Sequence, residues 1–130
     1  MLAASIHCVS SVRANGASVL DREARVEAIR HAACRVAQRL PSLQRVILYG
    51  SLVNREPMVC AEAVLLVEVT TSPHAEPRDR VSGMLRALSP LPCPVDLFVL
   101  TSEEVARFSA EGSPLLRTIL NEGMNLVHTS

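Results

Sequence analysis

Apolar residues recur along one helical face between residues 21 and 40, at Val26, Ile29, Ala33, Val36, Ala37 and Leu40. Asp21 stands where a helix cap belongs, Glu23 falls in the first turn, and Pro41 closes the segment. His31 and Cys34 lie close to the apolar stripe and read as packing residues. The pattern then changes. Residues 45–49 form a short apolar, partly β-branched run ended by Gly50, which predicts a strand, and residues 51–54 have room for a short helix. Residues 63–70 (Ala-Val-Leu-Leu-Val-Glu-Val-Thr) are apolar on both faces over most of their length. That predicts a central strand, either covered on both sides or covered on one with a site on the other.

Residues 78–88 return to helical spacing, with Val81, Met84, Leu85 and Leu88 inward, and a third strand follows Pro90, Pro92 and Pro94 at residues 95–100. Thr101-Ser102-Glu103-Glu104 has the form of a capping box for a helix reaching about residue 110. Ser113-Pro114 starts another helix, and Gly123 is expected to stop it in the left-handed conformation. Residues 124–128 complete the set as a last strand. This order predicts an α/β (α+β) domain with a mixed β-sheet flanked by helices, because the link between the first two strands is barely long enough for a parallel crossover. Residues 21–130 read as that domain, and residues 1–20 as a loosely ordered N-terminal extension.

Composition narrows the chemistry. With 48% hydrophobic residues but only 2% aromatic ones, the core must be built from Leu, Val, Ile and Ala. A net charge of zero argues against strong nucleic-acid binding, which needs a basic face. The chain has no lysine, so Schiff-base chemistry and a P-loop lysine are excluded, and phosphate must be held by arginine, backbone N–H groups or a metal. Arg55, Arg78 and Arg80 read as a solvated face or as phosphate contacts, with the solvated face preferred. Cys8, Cys34, Cys60 and Cys93 are too dispersed for a zinc site and read as reduced thiols in a cytoplasm. No apolar run is long enough to span a bilayer.

The acidic residues carry the functional argument. Strand alternation puts Glu62, Val64, Leu66 and Glu68 on one face, each about 6.6 Å from the next, and Asp96 opens the third strand where it can sit beside them. Gly50-Ser51 ends the first strand in a turn whose N–H groups can face phosphate. Taken singly, each has a structural reading as well: Val64 as a strand core residue, Glu62 as a solvated strand end, Asp96 as a strand start and Ser51 as a helix cap.

Together, Val46-Ile47-Leu48-Tyr49-Gly50-Ser51, the strand Val64–Val69, the segment Val95–Thr101 and the closing segment from Glu111 to Gly123 resemble the minimal nucleotidyltransferase family of the polymerase-β-like superfamily. The resemblance implies that Gly50 and Ser51 hold the phosphates of ATP or another nucleoside triphosphate. It also implies that Asp96 is the third carboxylate of the site, serving as catalytic residue and Mg²⁺ ligand. Glu62 then stands for the first aspartate of an Asp-x-Asp pair, with the same two roles, and Val64 replaces the second. Leu52, Asn54 and Arg55 also depart from the family's pattern after the turn. The expectation is a nucleotidyltransferase fold with an impaired or lost metal-dependent site, acting by binding a nucleotide or a partner. By resemblance, that partner is a helical HEPN-type protein, as in toxin–antitoxin pairs. The alternative is an active Mg²⁺-dependent enzyme transferring adenylyl from ATP to a protein or small-molecule hydroxyl.

Overall fold

The computed structural model describes residues 18–54 and 63–128. It contains strands β1 (Leu43–Tyr49), β2 (Ala63–Val69), β3 (Val95–Thr101) and β4 (Met124–His128). The helices are α1 (Ser18–Arg39), α2 (Ser51–Asn54), α3 (Arg78–Leu88), α4 (Ser102–Ala110) and α5 (Pro114–Glu122). Helix α1 begins at Ser18, so Asp21 falls inside it rather than at its cap, and residues 18–20 belong to the helix rather than to the extension. Residues 1–17 lie outside the described residues.

The strands form one mixed sheet in the order β3-β2-β1-β4. β1 pairs antiparallel with both β2 and β4, while β2 pairs parallel with β3. Link length explains the difference. The β1–β2 connection is 13 residues long (50–62), barely the length a crossover needs, whereas the 25-residue β2–β3 connection (70–94) carries all of α3 and completes one.

Alternation along the strands sorts the core into two layers. Val46, Leu48, Leu65, Val67 and Val99 face α1 and α3, where Val26, Ile29, Ala33, Val36, Met84 and Leu88 meet them. Ile47, Val64, Leu66 and Leu100 face the opposite side, against Val105 of α4 and Leu116 and Ile119 of α5. Every residue of β2 is buried, as its two-sided apolar run predicts. Cys34 is buried in the α1 layer, and that burial pushes its thiol pKa up, which leaves it unreactive. His31 is exposed.

The predicted caps are present at both C-terminal helices. Thr101 Oγ1 accepts from Glu104 N at 3.2 Å, the Glu104 carboxylate accepts from Thr101 N at 2.9 Å, and Ser113 Oγ accepts from Leu116 N at 3.3 Å. Gly123 differs from expectation. Its backbone is extended (φ −75°, ψ 165°), not left-handed. Close approach is the reason for glycine here: a Cβ would collide with Ile47 Cγ2 and lie 2.6 Å from the Ile119 carbonyl oxygen. Gly123→Ala should therefore cost about 1–3 kcal/mol by overpacking. Urea denaturation checks this; a cost below about 0.5 kcal/mol, typical of a neutral surface change, would contradict the contact.

Arg80 also departs from its expected solvated face. It is buried and forms five hydrogen bonds: to the carbonyls of His74 (2.9 Å), Ala75 (3.1 Å) and Val99 (3.0 Å) and to both carboxylate oxygens of Glu104 (2.6 and 3.1 Å). One side chain thereby joins α3, β3, the start of α4 and the loop before α3.

Candidate functional site

One end of the sheet brings together Gly50, Ser51, Val64 and Asp96 of the residues singled out from the sequence. β1 ends at Tyr49, and Gly50 follows with φ 114°, a left-handed conformation that favours glycine. This lets the chain turn directly into α2, with Val53 N donating to the Gly50 carbonyl at 2.9 Å. Ser51 opens α2. Tyr49 pairs with Val64, and Val64 pairs with Asp96, so the three lie side by side across β1, β2 and β3 on one face of the sheet. Neighbouring strands are about 4.8 Å apart, which places Asp96 one strand from Val64 and two strands from the Gly50 turn.

Charge is distributed unevenly across this row. Asp96 is exposed at the mouth, on an edge strand. Val64, in the middle, is 8% exposed and packs with Tyr49 and Leu66 in the second core layer. Glu62 lies outside the described residues. Glu68 shares the face of Val64 but stands about 13 Å farther along β2, where Arg45 Nε donates to its Oε1 at 2.6 Å. That ion pair holds Glu68 away from the site. Among the described residues no three His, Cys, Asp or Glu side chains cluster as a metal centre would require. The described donors thus do not fit a two-metal site, because the position between the turn and Asp96 carries an alkyl side chain.

Sequence reasoning missed a groove beside this row. Asp96, Phe98 and Leu100 alternate onto the same face of β3, and beyond Asp96 a cavity of about 540 Å³ opens between β3 and α4–α5. Its walls include Leu66, Phe98, Phe108, Leu115 and Ile119. Phe98 and Leu115 stay 40% and 49% exposed. A large apolar residue one alternation step from the candidate acid was the available signal.

Comparison with solved structures gives the fold. The chain superposes on a crystal structure from Sulfolobus solfataricus provisionally described as a nucleotidyltransferase, with a TM-score of 0.55 and 20% sequence identity over 71% of this chain and 81% of that one. The fold is therefore a nucleotidyltransferase-like fold, a mixed four-stranded sheet flanked by helices. No protein-family model matches the chain, and no curated protein matches it significantly. No helix among the described residues is long and apolar enough to cross a membrane.

Proposed function

We propose that this chain is a degenerate minimal nucleotidyltransferase whose transfer site has lost its central carboxylate and which acts by binding, to a nucleotide or to a partner protein. The observation that supports this is Val64. It is set between Tyr49 and Asp96 in register and is packed into the second core layer, where the family chemistry needs a charged metal ligand. A valine there neither binds a cation nor offsets the charge of a triphosphate. Losing one preorganised electrostatic group typically costs about 10²–10³ in rate, and losing a shared ligand costs more.

Two features support a binding role. Gly50 takes the left-handed conformation and the chain turns at once into α2, an arrangement that leaves the first N–H groups of that helix available for a phosphate. The exposed Phe98, two residues along β3 from Asp96, and Leu115 across the groove offer apolar contact to a helical partner of the HEPN type, the partner the family resemblance suggests. A cytoplasmic location goes with this reading.

Calorimetry with ATP and MgCl₂, paired with a transfer assay using labelled ATP, tests the proposal. Saturable ATP binding without turnover, weakened in Asp96→Ala, is the expected result. Robust turnover that disappears in Asp96→Ala would overturn it in favour of an active adenylyl transferase using Glu62, Asp96 and one Mg²⁺. No binding of any nucleotide would leave only the partner-binding half.

A further inference from the structure

The sheet has a second cleft at the end opposite Gly50. It lies between α1 and α3, about 17 Å along β2 from Val64, and encloses about 410 Å³. We propose that this cleft binds a small amphipathic carboxylate, an apolar body carrying a single anionic head. The proposal is independent of the nucleotide reading and uses none of its residues.

Three observations support it. The first is the lining, in which apolar side chains Val36, Val69, Met84 and Val99 accompany a polar rim that includes Arg39 and His74. Apolar surface with a few convergent polar groups is the usual make-up of a small-molecule site. The second is charge. Arg39 ends α1 with neither an ion pair nor a hydrogen bond among the described residues, and Arg35 stands one turn before it on the same face. Asp79 is the one acidic side chain in the lining, and Arg80 is already neutralised by Glu104. The surplus is positive, which selects an anion.

The third is Gly83, in the interior of α3 and in the wall of the cleft. Glycine inside a helix is destabilising relative to alanine. Packing does not require it here, since a Cβ at this position would meet nothing within 4 Å. The residue is exposed and lines the cleft, so a long side chain there has open room at the cleft wall.

The walls are also held apart. Arg35 donates to the carbonyls of Leu88 and Ser89, both at 3.1 Å, tying α1 to the end of α3. Arg80 fixes the loop carbonyls of His74 and Ala75 at the other end. The cleft is therefore formed before any ligand arrives, which lowers the cost of binding. The anionic head would meet Arg39 at the rim, with the chain or ring against Val69, Met84 and Val99.

The test uses octanoate, octanol and acetate as probes, followed by amide chemical-shift mapping on the intact protein. Octanoate should shift Thr71, His74 and Gly83 saturably, while octanol and acetate bind at least tenfold more weakly. Gly83→Leu adds a bulky side chain to the cleft wall and is a better helix former, so it should remain folded and lose octanoate binding by more than tenfold. Arg39→Gln should weaken octanoate about tenfold, as expected for losing one charge-assisted contact, and erase its advantage over octanol. Shifts centred on Phe98 and Leu115, unchanged binding in Gly83→Leu, or equal binding of octanol and octanoate would each overturn the assignment.

Discussion

Glu104→Ala is expected to remove about 3–5 kcal/mol of folding free energy, the usual cost of leaving a buried charge without its partner. The Arg80 and Glu104 side chains are only 5% and 12% exposed, and they meet at 2.6 Å. Removing the carboxylate leaves a guanidinium that cannot deprotonate, held by three carbonyls and with only the more distant charge of Glu76 to offset it. The same substitution takes away the capping-box bond to Thr101 N. Domains of this size are stable by roughly 5–15 kcal/mol, so the loss is a large share of the total. Glu104→Gln keeps an acceptor for Thr101 N and Arg80 without the charge, and should fall between wild type and Glu104→Ala.

The pair also sets the acid limb of the stability curve. The hydrogen bond from Arg80 holds the Glu104 carboxyl below its ordinary value of 4.5, with the Thr101 backbone bond adding to the effect against the cost of burial. The same bond raises the Arg80 pKa, so arginine stays charged throughout. A lowered folded-state carboxyl contributes stability that is complete above the unfolded value and disappears as pH falls through the folded one. Wild type should therefore lose this contribution below about pH 4.5, whereas Glu104→Gln should lack it at every pH. Denaturant midpoints at neutral and acid pH measure both effects. A Glu104→Ala variant within 1 kcal/mol of wild type at neutral pH would show that solvent, not the fold, neutralises Arg80.

Val64→Asp is expected to produce the second large effect, on ligand response rather than on fold. Its carboxylate would stand directly beside Asp96 in the parallel register, in a position now 8% exposed. Two like charges at adjacent, partly desolvated positions should cost roughly 2–4 kcal/mol in the absence of a divalent cation. Mg²⁺ binds the carboxylates of the folded state, so it should restore about 2.7 kcal/mol at a hundredfold excess over its dissociation constant. Wild type, with an alkyl group there, should show little Mg²⁺-dependent change in Tm. Val64→Asn matches the aspartate in shape without its charge; burying its amide costs stability too, but like wild type it should gain little from Mg²⁺. Any gain in adenylyl transfer by Val64→Asp, on the order of 10²–10³, would mark position 64 as the missing ligand. A wild-type Tm that already rises as steeply with Mg²⁺ would show that the site lost nothing.

Much of the architecture was legible in the chain because its elements announce themselves locally. The period of Val26, Ile29, Ala33 and Val36, the two-sided apolar run of β2, the Thr101–Glu104 box and the Ser113-Pro114 start each need only neighbouring residues to be read. The mixed sheet was readable from the short β1–β2 link. The alignment of Val64 with Asp96 was half legible: alternation assigns each residue to a face, but only strand register decides which residues stand opposite. Gly123 was read as a turn glycine because local rules favour that use at a helix end; the contact with Ile47 that actually requires it comes from a strand far away in the chain.

The sequence by itself determined the helices and strands, the two apolar faces of the central strand and the absence of a carboxylate at position 64, since each depends on residue type and spacing along a few turns or pleats. Only the tertiary structure decided that Arg80 is buried against Glu104 instead of solvated, that Glu68 is held by Arg45, and that α1 and α3 leave a cleft around Gly83. Those outcomes depend on which elements meet. A charged or small side chain carries no local mark of the partner that long-range packing will bring to it.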